Sequence, residues 1–205
     1  MNKGSIPHIT PGSRQNRRMT SSRRRRLLAV AAALPFVRPA LAQDLPLTPA
    51  CGPQARLTPR QTEGPYYTPN TPQRASLLEP GTKAERLSLA GRVVSPQCRP
   101  VPKALLDFWH CDEHGEYDNA GYRYRGHLFA DAEGRFRLET IFPAIYPGRA
   151  RHIHVKVQAP GRSILTTQLY FPGDARDGLW RAELVVAMAG DAQGRRAAFQ
   201  FIVDA

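Results

Sequence analysis

The sequence of 205 residues is short of acidic side chains, cysteine and long apolar runs. It carries 17 Asp and Glu against 29 Lys and Arg, and only 3 cysteines. After residue 42, no segment is apolar enough to cross a bilayer, and no internal repeat or alternation of basic and aromatic residues is present. These absences argue against a membrane span in the mature chain, a repeat protein and a nucleic-acid-binding protein.

Residues 1–42 predict a twin-arginine signal peptide. The consecutive arginines from Arg23 to Arg26 precede a short apolar run and an Ala-Leu-Ala cleavage site, so the mature chain would begin at Gln43. Met19 is an alternative start, in which case residues 1–18 would be an over-called extension. A basic disordered tail is the other interpretation. The order of the three signals favours export, and we expect a periplasmic or secreted protein.

The excess of basic residues belongs mostly to this leader. Of the 29 Lys and Arg, 9 lie in residues 1–42, which hold no Asp or Glu, so 20 remain against 17 acidic residues. The net charge of the mature chain is therefore small. It gives no reason to expect nucleic acid as a partner.

Three cysteines, Cys51, Cys98 and Cys111, leave at least one thiol unpaired. Because Cys51 and Cys98 lie in proline-rich sequence typical of loops, we expect them to form a disulfide after export. Cys111 lies in an apolar segment and is expected to pack as a small hydrophobic residue.

Residues 43–86 are rich in Pro, Thr and Gly without a clear period, and predict an extended arm. Residues 87–205 contain about eight short alternating or apolar segments that predict strands. These strands are expected at 87–94, 104–111, 122–129, 135–139, 152–158, 166–171, 183–188 and 198–203. Helical periodicity is missing apart from a weak signal near Leu179. The pattern predicts an all-β domain, an antiparallel β-sandwich or barrel.

Two histidines separated by one residue, His152 and His154, are the first candidate metal ligands. On a strand they point to one face while Ile153 points to the other, so both imidazoles can reach one ion. Tyr117 and Tyr146 lie upstream. Phenolate oxygen is a hard, anionic donor that suits a small, highly charged cation, and Fe(III) is the natural occupant of such a set.

Each of these residues also has an ordinary structural interpretation. Paired histidines can lie on a solvated face, and a tyrosine is more often a half-buried aromatic. A separate zinc site at His110, Cys111 and His114 is disfavoured, because His110 and Cys111 would face opposite ways on a strand.

Four stretches together make the chain resemble the intradiol ring-cleavage dioxygenases, in particular the protocatechuate 3,4-dioxygenase-like family. They are Thr62–Tyr67, Trp109–Tyr117, Phe142–His154 and Thr167–Phe171. The order Tyr, Tyr, Arg-x-x-His-x-His is highly specific to that family. The matching stretches and their spacing cover most of residues 62–174, and the resemblance implies the sandwich rather than the barrel.

The resemblance implies a complete site around one non-haem Fe(III). The ligands of the ion would be Tyr117, Tyr146, His152 and His154. Arg149 would lie beside the substrate, and Gln168 would position it. Trp109 would pack behind the site, and Tyr66 or Tyr67 would lie at the pocket mouth. Taken alone, Arg149 could be a surface cation and Gln168 could satisfy a buried backbone group.

The implied reaction inserts both atoms of O₂ between the two hydroxyl-bearing carbons of a catechol and gives a cis,cis-muconate. Tyr146 would take a substrate proton as it leaves the metal, and Arg149 would stabilise the anionic substrate. Gly148 stands where the protocatechuate enzymes carry a bulky aromatic, which leaves the preferred catechol open. Because one chain carries all four ligands, it could act alone or as a homo-oligomer.

Two other functions remain to be distinguished. A periplasmic metal-binding or carrier protein could use the same cluster without turnover, and a β-sandwich binding module could have lost the metal. The presence of all the expected ligands together with Arg149 argues against the second. Ferric tyrosinate is red-brown, whereas a zinc site is colourless, so colour separates the first from an iron enzyme.

Overall fold

The computed structural model describes residues 45–174, 176–191 and 194–205. The expected signal peptide, residues 1–42, lies outside the described residues. In the part of the chain that is described, no helix has the length and apolarity needed to cross a membrane.

Eight strands form among the described residues, as the alternating pattern predicts. They are β1 (Arg86–Val94), β2 (Leu105–Trp109), β3 (Arg125–Phe129), β4 (Arg135–Ile141), β5 (His152–Gln158), β6 (Leu165–Tyr170), β7 (Ala187–Asp191) and β8 (Gly194–Ile202). They pair into two four-stranded sheets, in the orders β4-β1-β8-β7 and β3-β2-β5-β6. The predicted all-β sandwich is confirmed.

One pairing departs from the antiparallel pattern. β1 and β8 run parallel, with Leu87 opposite Arg195 and Val94 opposite Ile202, while the other strand pairs are antiparallel. The first and last strands of the domain are therefore neighbours in the middle of one sheet. Strand periodicity carries no information about such a long-range pairing.

The segment predicted as a strand at 183–188 is partly wrong. Residues Ala182–Leu184 form a 3₁₀ helix, and β7 begins only at Ala187. Leu184 and Val186 are buried, and the backbone N–H of Val186 donates to Tyr170 O at 3.0 Å. The apolar residues here pack against the end of β6. Their alternation in the sequence is therefore the same as that of a strand paired in a sheet.

The hydrophobic core lies between the two sheets, because each strand turns alternate residues inward. On β5 the inward residues are Ile153, Val155 and Val157, all at most 1% exposed. His152 and His154 consequently point to the outer face of the sheet β3-β2-β5-β6. The site is built on that outer face, where the arm and the loops between strands cover it.

The arm lies along the sandwich without strands of its own between residues 45 and 85, apart from isolated bridges at Gln73 and Ser76. Its backbone is fixed at intervals: Thr58 N–H donates to Ile202 O and Gln61 N–H to Thr166 O, both at 2.9 Å. The extended arm predicted from composition is confirmed over these residues. Its path brings residues 62–67 over the outer face of β5.

The cysteines behave as expected. Cys51 and Cys98 form a disulfide across 47 residues of sequence. Cys111 is a free thiol and is buried. The disulfide ties the beginning of the described arm to the loop that follows β1.

Candidate metal centre

His152 and His154 are neighbours on the outer face of β5, and their Nε2 atoms are 3.0 Å apart. His152 Nδ1–H donates to Ala150 O at 2.7 Å, because a carbonyl can only accept. Its Nε2 is therefore the free lone pair. Trp109, opposite His154 on β2, stacks on the His154 ring with centroids 4.8 Å apart. Trp109 packs behind the site, as expected.

Burial keeps both imidazoles neutral. Desolvation lowers the pKa of His152 to about 4 despite the opposing hydrogen bond to Ala150. Desolvation and then the neighbouring His152 hold the pKa of His154 well below its usual value. Neutral imidazole is the form that binds a metal. The two buried nitrogens face each other at 3.0 Å and are suited to share a cation.

Two loops bring the tyrosines to the same place. Tyr117 lies in the loop between β2 and β3, and its hydroxyl oxygen is 3.5 Å from His152 Nε2. Tyr146 lies in the loop between β4 and β5, and its hydroxyl oxygen is 3.4 Å from the same nitrogen. The four residues expected to bind one ion therefore converge, with His152 Nε2 as the common neighbour.

The Tyr117 loop is shaped by a buried carboxylate. Asp112 Oδ1 accepts backbone N–H bonds from His114 and Glu116 at 2.8 and 2.9 Å. Gly115 has φ +88°, and a Cβ on it would lie 3.0 Å from Tyr146 Cβ. A side chain at Gly115 would thus be strained and would crowd Tyr146, so glycine at this turn lets the two tyrosine loops touch.

The donor set fits a single metal ion. Ligand atoms that are each about 2 Å from one ion are about 3 to 3.6 Å from one another, which brackets the observed separations. Among the described residues, no group of three or more His, Cys, Asp or Glu converges as a metal site. The set therefore depends on the tyrosine oxygens, and these hard donors favour a trivalent over a divalent ion.

The tyrosines need the charge of a metal to ionise. Desolvation raises the pKa of Tyr117 well above its usual value, with the neighbouring Tyr146 as the next cause. Desolvation likewise raises the pKa of Tyr146, against the opposing effects of Tyr117 and Arg149. Without a cation both are neutral phenols at pH 7. A bound ion would supply the charge that removes their protons.

Arg149 and Gln168 form one hydrogen-bonded group beside the tyrosines. Arg149 Nη2 donates to Gln168 Oε1 at 2.6 Å, and Arg149 Nη1 donates to the Tyr146 hydroxyl at 3.4 Å. Gln168 Nε2 donates to Thr62 O at 2.9 Å, and the Tyr170 hydroxyl donates to Gln168 Oε1 at 3.0 Å. The guanidinium is therefore held facing the site from the side of Tyr146.

Asp177 is a member of this group that sequence reasoning missed. Its Oδ2 accepts from Arg149 Nε at 2.9 Å and from Ala150 N–H at 2.8 Å, while its Oδ1 accepts from Leu179 N–H at 2.8 Å. Burial raises the pKa of Asp177, but these hydrogen bonds outweigh it and hold the pKa below its usual value. Asp177 is thus an anion that orients Arg149. It lies in a loop without any pattern that could have indicated it.

Tyr170 was also missed, although a signal existed. It follows Gln168 by two on β6 and so must point to the same face. Desolvation raises the pKa of Tyr170 to about 12, so its hydroxyl remains a donor. Alternation along β6 alone could have placed it beside Gln168.

The two tyrosines proposed for the pocket mouth have different places. The Tyr66 ring stacks on Tyr117 with centroids 4.5 Å apart and is 37% exposed. The Tyr67 hydroxyl donates to Asp107 Oδ2 at 3.1 Å, and Lys156 Nζ lies 3.3 Å from the centre of the Tyr67 ring. Tyr66 lies at the opening of the cluster, whereas Tyr67 holds the arm on the sheet.

His110 and His127 make internal contacts. His110 is buried, with Nδ1 2.7 Å from Cys111 O and Nε2 2.7 Å from Thr140 Oγ1, and no zinc cluster forms around it within the described residues. His127 is half-buried, because the arm covers it and Thr71 Oγ1 lies 3.2 Å from its Nδ1.

Comparison with known proteins supports the family that the sequence resembles. A family model described as "Dioxygenase" matches residues 62–193, more than half of the chain. A catechol 1,2-dioxygenase of Pseudomonas sp. (strain EST1001) is 31% identical over an alignment that covers 57% of this chain and 48% of that protein. The chain spans about half the length of the curated relatives it matches.

Two solved structures extend the comparison to the fold. The dioxygenase domain of a dioxygenase and carbohydrate-binding protein fusion from Streptomyces sp. SirexAA-E is 47% identical, with a TM-score of 0.71, and the match covers 73% of this chain and 99% of that one. The 3-chlorocatechol 1,2-dioxygenase of Rhodococcus opacus 1CP is 28% identical, with a TM-score of 0.67 and 73% of each chain covered.

Proposed function

The chain belongs to the intradiol ring-cleavage dioxygenase family, and we propose that it cleaves a catechol between its two hydroxyl-bearing carbons with O₂ to give a cis,cis-muconate-type dicarboxylate. The observation that carries the proposal is the convergence of Tyr117, Tyr146, His152 and His154 at separations of 3.0 to 3.5 Å from His152 Nε2. Relatives named for catechol, chlorocatechol and hydroxyquinol support a catechol-type substrate.

The cofactor that suits this donor set is non-haem Fe(III). Tyr117, Tyr146, His152 and His154 would hold it, and when bound it supplies Lewis acidity and a template for the two substrate oxygens. The neutral imidazoles and the hard phenolic oxygens support ferric iron over zinc, for which sulfur and nitrogen ligands are usual.

The side chains around the ligands would handle the proton and charge of the substrate. The Tyr146 oxygen, once anionic, would accept a proton from a catechol hydroxyl, and Tyr146 is only half-buried in its loop. Arg149 directs its guanidinium to the same oxygen and would stabilise negative charge that develops on the substrate. The exposed face of the Tyr66 ring offers an aromatic surface for the catechol ring.

Oxygen uptake by the iron-loaded protein tests the reaction. We expect uptake with at least one member of a panel of catechol, protocatechuate, hydroxyquinol and substituted catechols, together with a red-brown charge-transfer band. Tyr146→Phe should keep iron but change the band and slow turnover, and His154→Ala should lose most of the iron. Tyr122→Phe, at an exposed tyrosine outside the cluster, is the matched control.

The outcomes separate the enzyme from the carrier protein. A coloured protein that takes up no oxygen with any member of the panel would favour ferric binding without turnover. A colourless protein that binds zinc in preference to iron would contradict the proposed cofactor.

We further propose that the protein is exported by the twin-arginine pathway and acts in the periplasm or outside the cell. The motif in residues 1–42 supports this location, and so does the Cys51–Cys98 disulfide, since disulfides persist in oxidising compartments. A fusion of the leader to a reporter should be exported, and replacement of Arg24 and Arg25 by lysine should retain it in the cytoplasm. A reporter that stays cytoplasmic with the intact leader would contradict export.

A further inference from the structure

Arg125, at the start of β3, is a charged residue for which the proposed chemistry gives no role. It is 0% exposed, which is unusual for arginine. Its guanidinium carbon lies 5.9 Å from the centre of the Tyr117 ring. A positive charge is therefore buried next to one of the four expected iron ligands.

The hydrogen bonds of Arg125 go to backbone oxygens. Its Nε and Nη2 donate to Asp118 O at 3.0 and 2.8 Å, and its Nη1 donates to Tyr66 O at 2.6 Å. These bonds fix the residue after Tyr117 and the residue whose ring stacks on Tyr117. Arg125 thereby positions both aromatic rings at the opening of the site.

The charge of Arg125 has no carboxylate partner within 4.0 Å among the described residues. The acidic groups that act on it, Asp118 and Asp107, do so from longer range. A buried cation is costly unless an opposite charge lies close to it. The surroundings of Arg125 therefore favour an anion nearby, and the nearest side chain that metal binding would make anionic is Tyr117.

The other arginine of the site differs in this respect. Arg149 contacts the Tyr146 hydroxyl, but its Nε forms an ion pair with Asp177 at 2.9 Å. The charge of Arg149 is thus matched by a carboxylate that is itself buried. Arg125 has no such ion pair among the described residues, and its guanidinium lies beside the Tyr117 ring.

We infer that Arg125 is the counter-charge that faces Tyr117 when Tyr117 binds the metal, because its buried guanidinium lies 5.9 Å from the centre of that ring. This rests on the proposed function, because it concerns the ligands of ferric iron. Arg125 acts through Tyr117 and is a positioning residue. A nearby cation lowers the energy of the phenolate electrons, so the tyrosinate-to-iron charge-transfer band should lie at shorter wavelength than it would without Arg125.

The absorption spectrum of the iron-loaded, full-length protein tests this directly. Arg125→Gln and Arg125→Met remove the charge, and Arg125→Lys keeps it. We expect the band of both neutral variants to move to longer wavelength by tens of nanometres, and the band of the lysine variant to stay near that of the parent protein. Arg195→Gln is the matched control, since Arg195 also lies over an aromatic ring, that of Phe142, but pairs with Glu85.

A second comparison asks which tyrosine responds. Arg125→Gln should shift the band in a Tyr146→Phe background, where the remaining band comes from Tyr117, and should leave it unchanged in a Tyr117→Phe background. Equal shifts in both backgrounds would overturn the assignment to Tyr117. If both neutral variants fold and contain iron but their band does not move, the inference is overturned. If both neutral variants fail to fold, the role of Arg125 is structural, and the inference is overturned as well.

Oxygen uptake measured on the same preparations separates this inference from the proposed function. A parent protein that consumes O₂ with catechol, and whose band does not respond to the neutral variants, overturns the inference alone. A parent protein whose band responds as expected but which consumes no O₂ supports the counter-charge and contradicts turnover.

Discussion

Asp177 holds Arg149 in place through one carboxylate oxygen, Oδ2, which accepts two hydrogen bonds. One carboxylate oxygen serves both Arg149 Nε and the backbone N–H of Ala150, which lies between Arg149 and the two histidines. A single side chain therefore fixes the direction of the guanidinium and the start of β5. The chemistry proposed for Arg149 depends on this arrangement.

Replacement of Asp177 by asparagine should impair turnover more than folding. Asparagine keeps an acceptor for the backbone, but it leaves Arg149 without its counter-charge and free to turn away. We expect a loss of about 1–2 kcal/mol in the free energy of unfolding and a fall of about 10- to 100-fold in kcat/KM.

Urea unfolding and steady-state oxygen uptake measure the two effects. Asp174→Asn is the control, because Asp174 pairs with Arg151 at 3.2 Å in a similarly enclosed position. Equal losses of kcat/KM in the two variants would show that Asp177 has no specific role toward Arg149.

At the scale of elements, β5 was the most predictable part of the molecule. Its bounds, His152–Gln158, are those that alternation predicts, since successive side chains must leave a strand on opposite faces. Other strands differ from prediction at their ends: β3 begins at Arg125 rather than at Tyr122. Strand ends depend on turns and on where the partner strand stops, which periodicity does not report.

Gly91 lies in the middle of β1, where the packing against β8 and β4 leaves no room for a side chain. A Cβ there would lie 1.9 Å from Phe199 O and 2.7 Å from Phe136 Cε1. Gly91→Ala would therefore push apart β1 and its two neighbours, and we expect it to lower the free energy of unfolding by more than about 4 kcal/mol or to abolish soluble expression.

Gly190→Ala on β7 is the matched control. A Cβ at Gly190 has its nearest neighbours at 3.8 Å, so the change should stay within about 1 kcal/mol. Thermal unfolding of both variants checks the prediction. A Gly91→Ala protein as stable as Gly190→Ala would mean that the centre of the sheet can open at little cost.

For the whole molecule, the Cys51–Cys98 disulfide joins the arm to the sandwich across 47 residues. Closing a loop of that length in the unfolded chain is expected to stabilise the protein by about 4 kcal/mol. The double variant Cys51→Ser, Cys98→Ser should lose that amount in urea unfolding. Its iron content should stay unchanged, because Gln61 and Thr62 remain bonded to β6.

Cys111→Ala is the control for the disulfide. Cys111 is buried and free, so its replacement removes packing without a cross-link and should cost about 1 kcal/mol. Loss of iron from the double serine variant would contradict the expectation that the arm near Thr62 is held independently of the disulfide.

The metal-free protein should lose stability as pH falls from 6.5 to about 4. Burial lowers the pKa of His110 and of His152 to about 4, and that of His154 well below 6.5. In this window the unfolded chain binds protons that the folded chain does not, so the free energy of unfolding decreases toward acid. Each histidine contributes up to about 1.4 kcal/mol per pH unit.

Urea unfolding of the metal-free protein at several pH values checks this dependence. His110→Gln should reduce the slope of the free energy of unfolding against pH by the contribution of one histidine, up to about 1.4 kcal/mol per pH unit. A free energy of unfolding that stays constant between pH 6.5 and 4.5 would contradict neutral burial of these imidazoles. The carboxylates with lowered pKa, such as Asp177, act only below this window.

The sequence by itself predicted an all-β domain and placed His152 and His154 on one face of a strand, because both follow from geometry between near neighbours in the chain. The full set of expected ligands and the sandwich rather than the barrel came from the resemblance to the dioxygenase family. Tertiary structure alone decided that Tyr66 rather than Tyr67 faces the cluster and that β1 pairs with β8 in parallel. It also placed Asp177 on Arg149 and Arg125 beside Tyr66, contacts that span 28 and 59 residues. Such contacts depend on where loops return in three dimensions, and local periodicity contains no record of that.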